Sequence, residues 1–272
     1  MAKSVDVSFF RDNGFQVLEQ VVPRTVIRRV REFLEKAVPV TLHPAMKEIG
    51  CPSDAHVVRY IRAIVERKQD GLEHLTKSTR DALCGHFSLD TRLSRELWDI
   101  PLSPEFQAAA KALLDTRRLY MHMPPTARFV LPGNVYAGVP PHQDVSYNRH
   151  MSRFVTIWVP LVPIDDECGG VSVFVGSGRE PEYPVKQAKT QFWLDGVSTG
   201  NYPEHHYKLN PGDALALNPF VIHGSKPNLS NHIRLSIDFR FFGEGDRSTK
   251  HYLDLQTLEV IAPAQESTDA NV

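Results

Sequence analysis

Residues 154–175 read FVTIWVPLVPIDDECGGVSVFV and hold two apolar runs separated by a polar, Gly-rich stretch. The runs, FVTIWVPLV and VSVFV, are rich in the β-branched and aromatic residues that favour strands. The Pro, Asp and Gly residues between them are typical of a turn. The stretch therefore predicts a strand, a turn and a second strand.

Four more strand-like segments flank the stretch, and the first of them begins near residue 118. LYMHM and ARFVL precede it, and ALALNPFVIH and IRLSIDFRFF follow it. Short strands separated by turn residues favour an antiparallel sandwich or barrel. We expect a mainly β fold with flanking α-helices, whose core at 118–250 is a double-stranded β-helix, that is, a cupin-like jelly roll.

The first part of the chain has helical periodicity instead. Residues 15–22 read as a short strand, and Pro23 stands where a helix commonly begins. Further helices are predicted near 57–71, over 92–98 and from Ser103 onward. No Gly/Ser-rich linker follows them, so we expect 1–272 to be one domain with 1–117 as a helical buttress. The aperiodic residues 178–208 are predicted to form a lid.

Charge and composition exclude several classes of protein. The 31 basic and 32 acidic residues argue against nucleic acid or an anionic membrane as a partner. No apolar run is long enough to span a bilayer, and the N-terminus lacks a secretory signal, so a cytoplasmic location is expected. The three cysteines contain no CxxC pair, which favours free thiols. The oligomeric state stays open.

His142 and Asp144 are the first candidates for chemistry, because alternate residues of a strand point to one face. A solvent-facing pair is the plain alternative for two such residues. His223 lies far along the chain but within reach of a neighbouring strand. Two imidazoles and one carboxylate would leave three facial positions open on an octahedral metal, which suits ferrous iron.

Arg234 and Ser236 lie on the last predicted strand, where polar and apolar residues alternate. Such alternation is also typical of a half-buried strand with one face in water. Beside a metal site, a guanidinium with a hydroxyl two residues later could bind a carboxylate directionally. The combination points to a chelating dicarboxylate co-substrate.

These motifs together resemble the phytanoyl-CoA dioxygenase-like iron(II)/2-oxoglutarate oxygenases. The resemblance rests on PPHQDVSY, on FVTIWVPLVPIDDECGGVSVFVGSGRE and on PGDALALNPFVIHGSKPNLSNHIRLSIDFRF. It implies that His142, Asp144 and His223 bind Fe(II) and that Arg234, helped by Ser236, binds 2-oxoglutarate. Thr156 and Trp158 fall where family members line the co-substrate site, although a plain core role fits them equally. The segment 175–179, VGSGR, departs from the usual Pro-Gly-Ser-His.

The resemblance implies an enzyme that uses Fe(II), 2-oxoglutarate and O2 to hydroxylate a small-molecule metabolite, in a biosynthetic tailoring step. Related halogenases replace the metal carboxylate with a small residue, so Asp144 favours a hydroxylase. Epimerisation, desaturation and ring formation stay open, as does a non-catalytic cupin-like binding protein.

Nine further polar and aromatic residues, expected on the substrate side of the iron, have two interpretations. They could face a polar or anionic metabolite, or they could simply be solvated. They are Tyr147, Asn148, Arg149, Arg153, Tyr183, Lys186, Lys189, Trp193 and His206. The adjacent His205 and His206 are interpreted as a lid or surface pair, because neighbouring side chains of an extended segment diverge. His122, His150 and His232 are interpreted as structural or pocket-lining.

Overall fold

Helices dominate the N-terminal part of the computed structural model, which describes residues 5–51, 57–67, 71–151, 153–188 and 191–263. The helices are α1 Val7–Asn13, α2 Arg24–Glu48, α3 Val57–Arg67, α4 Lys77–Leu83, α5 Leu89–Leu93 and α6 Pro104–Leu114. Thirteen strands are described: β1 Phe15–Leu18, β2 Leu119–His122, β3 Thr126–Val130, β4 Phe154–Pro160, β5 Gly170–Phe174, β6 Val185–Ala188, β7 Gln191–Leu194, β8 Glu204–His206, β9 Ala214–Leu217, β10 His223–Lys226, β11 Arg234–Gly243, β12 Tyr252–Asp254 and β13 Val260–Ile261.

The long helix α2 begins directly after Pro23, as the sequence predicts. Its buried residues recur every three or four positions, so a single stripe faces the core. They are Ile27, Val30, Leu34, Val38, Leu42, Ala45 and Met46. The helix continues through Pro39 and Pro44, although each proline removes one backbone donor.

Two predicted elements differ in extent. The strand expected over 15–22 is confined to β1, because Glu19 and Gln20 form a turn and Gln20 has a positive φ of 50°. The helix expected over 92–98 is divided into α5 and a 3₁₀ turn, Arg95–Asp99. Ser94 separates them with extended backbone, φ −61° and ψ 138°. Ser88 instead caps α5 by accepting a hydrogen bond from the Thr91 amide.

Eight strands form the larger sheet, in the order β1-β9-β4-β11-β2-β12-β13, with β3 also paired to β11. All its described pairings are antiparallel. The ten-residue β11 is the central strand and pairs with β4, β3 and β2 along its length. This strand covers most of the predicted segment IRLSIDFRFF, beginning at Arg234 and ending at Gly243.

The smaller sheet has the order β10-β5-β8. The run ALALNPFVIH, read as one strand, is divided between the sheets: β9 belongs to the larger and β10 to the smaller. His223 therefore opens a strand rather than closing one. Within the expected lid, β6 and β7 form a hairpin and β8 pairs with β5, so this segment has more regular structure than its sequence indicates.

The two faces of the larger sheet have different environments. On one face, Phe106 of α6 lies edge-on against Phe239 and Phe241 of β11, with ring centroids 5.9 and 5.8 Å apart. The other face carries the alternate residues of β11 and β4, where Arg240 is opposite Thr156 and Asp238 is opposite Trp158. This polar face is turned toward the His and Asp residues of the candidate site.

The expected fold class is confirmed: an antiparallel β core of jelly-roll type is buttressed by the N-terminal helices. In the described ranges, helices are too short or too polar to cross a lipid bilayer. Cys51 and Cys168 are buried, Cys84 is half-buried, and no disulfide joins them in the described residues.

Candidate metal centre

His142, Asp144 and His223 lie together between the two sheets. One ligand atom from each side chain is within 4.8 Å of the other two. All three residues are buried, with exposed fractions of 7%, 1% and 7%. In the part of the chain that the structure describes, this is the one group of three or more potential metal ligands.

Backbone pairing brings the distant histidines together. The amide of His142 donates to the carbonyl of His223, and the amide of His223 donates to the carbonyl of His142, each over 3.0 Å. Asp144 then begins a 3₁₀ turn, Asp144–Tyr147. The side chains of His142 and Asp144 point to one place, as predicted. The backbone that positions them is a single β-bridge followed by a turn rather than a strand.

Both imidazoles are oriented by carbonyls two residues upstream. Nδ1 of His142 lies 2.9 Å from the carbonyl oxygen of Pro140, and Nδ1 of His223 lies 3.0 Å from that of Val221. A carbonyl only accepts, so each Nδ1 carries the proton and each Nε2 presents a lone pair. Metal-binding histidines are commonly held in this way.

The carboxylate of Asp144 is held from two sides by strands of the larger sheet. Thr156 Oγ1 of β4 donates to Oδ2 over 2.5 Å, and Arg240 Nη2 of β11 donates to Oδ1 over 2.8 Å. Oδ1 also faces Nε2 of His142 at 3.9 Å. The oxygen turned toward the histidines is therefore the one that Arg240 contacts.

The site favours a neutral His142 and an ionised Asp144. Burial, with the nearby His223, lowers the pKa of His142 to about 3. Burial opposes ionisation of Asp144, but Arg240, both histidines and Thr156 together hold its pKa below its ordinary value. These are the protonation states that metal coordination requires.

Arg234 is almost fully buried, with 4% of the residue exposed. Its Nη1 donates to the carbonyl of Lys226 over 2.9 Å, and its buried Nε has no hydrogen-bond partner. Burial, with the neighbouring Arg128, lowers the pKa of Arg234 to about 10. A buried cation with an unsatisfied donor fits an anionic ligand, which would supply the missing acceptor.

Ser236 and Trp158, both predicted to lie at the co-substrate site, are buried on the same sheet face. Ser236 is opposite Arg128 of β3 and Pro160 of β4. Trp158 is 4% exposed and lies against Gly170 of β5. Thr156 has a more direct contact, because its hydroxyl holds the carboxylate of Asp144.

Three functional contacts were not assigned from sequence. The alternation of β11 places Arg240 on the polar face, but gives no sign that it reaches Asp144. Asn148 is fully buried and donates from Nδ2 to the Asp144 carbonyl over 3.1 Å. Gln143 is also fully buried, and its position between two candidate ligands was the only signal available.

Gln143 connects the candidate metal centre to the start of segment 178–208, the expected lid. Its Nε2 donates to the carbonyls of Phe220, over 2.6 Å, and Pro181, over 3.2 Å. Its Oε1 accepts from the amide of Tyr183 over 2.8 Å. The Tyr183 hydroxyl in turn lies 2.6 Å from that of Tyr202, a contact between the first and last parts of segment 178–208.

Several proposed substrate-side residues have partners elsewhere. Arg149 pairs with Glu182 and Lys186 pairs with Asp195, in exposed ion pairs of 2.6 and 2.7 Å. These contacts fit the solvated alternative for both cations. Lys189 and the side chain of Trp193 lie outside the described residues.

Of the paired histidines, His205 is exposed and His206 is half-buried on β8, in agreement with a lid or surface pair. His122 is buried, and its Nε2 lies 2.8 Å from Ser248 Oγ, as expected for a structural histidine.

The donor set fits ferrous iron. Two neutral nitrogen donors and one carboxylate occupy one side of the site, and such a set leaves coordination positions for further ligands. The hydrogen bonds to Nδ1 of both histidines and to Asp144 supply the outer contacts that usually orient metal ligands.

Comparison with known proteins identifies relatives. The family model described as phytanoyl-CoA dioxygenase (PhyH) matches residues 10–236. The peroxisomal phytanoyl-CoA dioxygenase of Bos taurus is 23% identical over 265 residues, which cover 91% of this chain and 69% of that protein. The 1-deoxypentalenic acid 11-beta-hydroxylase of Streptomyces exfoliatus is 32% identical over 115 residues, 37% of this chain and 40% of that protein.

Solved structures show the same fold. EvdO2 from Micromonospora carbonacea var. aurantiaca, complexed with 2-oxoglutarate, is 22% identical and superposes with a TM-score of 0.61 over 89% of this chain and 92% of its own. The epimerase SnoN, in complex with Fe3+, alpha ketoglutarate and nogalamycin RO, is 15% identical and has a TM-score of 0.60 over 89% and 84% of the two chains.

Proposed function

The chain belongs to the phytanoyl-CoA dioxygenase family of iron- and 2-oxoglutarate-dependent oxygenases, and on that premise we propose that it hydroxylates an unactivated C–H bond of a small-molecule metabolite. A tailoring step in a biosynthetic sequence is the setting that we propose. The observation that carries the proposal is the buried cluster of His142, Asp144 and His223, whose ligand atoms lie within 4.8 Å of one another.

We assign Fe(II) binding to Nε2 of both histidines and to the carboxylate of Asp144. The Nδ1 contacts to Pro140 and Val221 support this assignment, because they fix the tautomer that leaves Nε2 able to coordinate. Thr156 and Arg240 hold the carboxylate of Asp144 by hydrogen bonds in the metal-free protein.

We assign the far carboxylate of 2-oxoglutarate to Arg234, with Ser236 beside it on the same face. The buried, unpartnered Nε of Arg234 supports the assignment. Bound iron supplies the chemistry that reduces O2 with the electrons of 2-oxoglutarate and the substrate, releasing succinate and carbon dioxide. The residues of this chain orient 2-oxoglutarate and the substrate and exclude water around them.

Hydroxylation is proposed ahead of halogenation because Asp144 occupies the carboxylate position with both oxygens hydrogen-bonded. A halide would require that position to be open. A relative over part of the chain is named a hydroxylase, which adds support.

The test is an oxygen-consumption and succinate assay with Fe(II), 2-oxoglutarate and candidate metabolites. Succinate should form only when both iron and oxygen are present, and it should be lost in His142→Ala and Asp144→Ala but retained in His251→Ala, an exposed histidine. A product heavier by about 16 Da indicates hydroxylation, a loss of about 2 Da indicates desaturation or ring closure, and an unchanged mass indicates epimerisation. Equal succinate formation in the triad variants would overturn the assignment, and no turnover with any substrate would favour a cupin-like binding protein.

A further inference from the structure

The candidate site contains more positive charge than its co-substrate requires. On the polar face of β3, β4 and β11, the described charged residues are Arg128, Arg234, Arg240 and Asp238, with Asp144 beside them. The double charges of Fe(II) and 2-oxoglutarate cancel each other, and histidines that coordinate a metal do so as neutral imidazoles. Three guanidinium groups then face two carboxylates, and burial raises the pKa of Asp238, which weakens one of the two.

Arg240 is the cation with donors left over. One described hydrogen bond joins its Nη2 to Asp144, and its buried Nε has no partner. Its side chain is 23% exposed, whereas that of Asp144 is 1% exposed. The guanidinium therefore extends from the candidate metal ligand toward the solvent-accessible side of the site.

Lys250 brings a second cation to the same place. Its Nζ donates to Asn148 Oδ1 over 2.9 Å and to the Tyr147 carbonyl over 3.2 Å, while Asn148 donates to the Asp144 carbonyl. In the described chain, Lys250 has no carboxylate partner. Lys250 is exposed at its surface side, but partial burial and the nearby Arg240 lower its pKa.

This cationic pair is separate from the proposed 2-oxoglutarate contact. Arg234 and Arg240 are six positions apart on β11, so their Cα atoms lie about 20 Å apart along the strand. The far carboxylate of 2-oxoglutarate, assigned to Arg234, therefore does not serve Arg240 or Lys250. The buried Nε of Arg240 still has no acceptor, and a further anion fits there.

We propose that Arg240 and Lys250 form a binding site for an anionic group of the organic substrate, a carboxylate or a phosphate ester, next to Asp144. The inference rests on the proposed function and narrows its substrate class. Such an anion would satisfy the unused donors of Arg240 and neutralise the excess charge, and both effects favour binding in a site of low dielectric. With the anion fixed there, the remainder of the substrate would lie close to the metal ligands.

The test uses matched probes that differ in charge alone. Naphthylacetate, cyclohexanebutyrate and decanoate are each compared with their methyl esters and with the phosphate monoesters of the corresponding alcohols. Binding is measured by anaerobic calorimetry with saturating Fe(II) and 2-oxoglutarate, so that it does not depend on turnover. Succinate release after aeration of the same samples reports the proposed function separately.

We expect at least one anion to bind about tenfold more tightly than its ester, as one charge-assisted contact predicts. The ratio of anion affinity to ester affinity is taken within each variant, so that general damage to the fold affects both terms equally. It should fall toward one in Arg240→Gln, fall in Lys250→Met and be partly kept in Arg240→Lys. It should be unchanged in Lys36→Met, an exposed lysine of α2, and in Arg234→Met.

Two results would overturn the proposal: anions and esters that bind equally to the unaltered enzyme, or a preference that survives Arg240→Gln and Lys250→Met. A preference lost in Arg234→Met alone would place the anion at the co-substrate contact and would also contradict it. A preference for carboxylate or for phosphate supports the site and identifies which anion it takes.

Discussion

Arg240 Nη2 lies 2.8 Å from Oδ1 of Asp144, the carboxylate oxygen that also faces His142. A strand residue six positions after Arg234 thus holds the candidate metal carboxylate before any metal binds. Since Asp144 is 1% exposed, its charge depends on this partner in the metal-free protein.

Arg240→Gln should destabilise the metal-free protein by about 3 kcal/mol, because it leaves a buried carboxylate without its ion partner. Chemical denaturation with a chelator present measures the change. In the double variant Arg240→Gln/Asp144→Asn most of the loss should be recovered. A double variant as unstable as the single one would show that the two residues do not depend on each other.

Thr156→Val should weaken Fe(II) binding roughly tenfold, as is typical when a residue that orients a ligand is removed. The shape of the side chain is kept, and only the donor to Asp144 is lost. Competition with a fluorescent chelator measures the affinity. Thr249→Val, at an exposed threonine, serves as the matched control, and equal affinities in both variants would contradict the role of Thr156.

Arg234→Met should raise the KM for 2-oxoglutarate at least about tenfold through the loss of a charge-assisted contact. Fe(II) affinity should remain near that of the unaltered protein, because Arg234 does not contact the three candidate ligands. Arg247→Met, at an exposed arginine, is the control. An unchanged KM would remove Arg234 from the co-substrate site.

Gln143→Leu should weaken the attachment of residues 181–183 to the candidate site, while the size of the buried side chain changes little. The Tyr183 amide loses its acceptor, and three hydrogen bonds are lost in total. Unsatisfied buried groups cost about 1–3 kcal/mol each, so hydrogen exchange at the Tyr183 amide should accelerate at least about tenfold. The Val175 amide, which donates to the Pro203 carbonyl, should exchange at its original rate.

Acid should destabilise the metal-free protein partly through His122. Burial, with Lys250 and Arg240 nearby, lowers the pKa of His122 to about 3, whereas an unfolded histidine titrates near 6.5. The unfolded chain therefore binds the extra proton first as pH falls from about 6.5 toward 3, at a cost of about 1.4 kcal/mol per pH unit. Between pH 7 and pH 5 the free energy of unfolding should fall less for His122→Gln than for His251→Gln, an exposed site. Equal losses would show that His122 takes up its proton in the folded state.

The sequence was sufficient for the main strands of the core, the fold class and the choice of His142, Asp144 and His223 as neighbours. Strand periodicity and a combination of motifs carry that information, because they depend on local chemistry. The same periodicity placed Arg240 on the polar face. Its contact with Asp144 could not be predicted, since it depends on the 3₁₀ turn that follows His142.

Tertiary pairing explains the other differences. The change from β9 to β10 depends on pairing with two different sheets, which a continuous apolar run does not reveal. β8 forms because β5 offers it an edge, although its own sequence, Glu204–His206, has little strand character. The role of Gln143 could not be predicted, because its partners Tyr183 and Phe220 are distant in sequence and meet it only in the folded chain.

We propose above all that His142, Asp144 and His223 hold one iron to which 2-oxoglutarate binds. Anaerobic titration of Fe(II) into protein with 2-oxoglutarate, followed by the visible charge-transfer absorption of the chelate, tests it directly. We predict a band that saturates at one iron per chain and is absent in His142→Ala, Asp144→Ala and His223→Ala. A band that persists in those variants, or no band in the unaltered protein, would contradict the account.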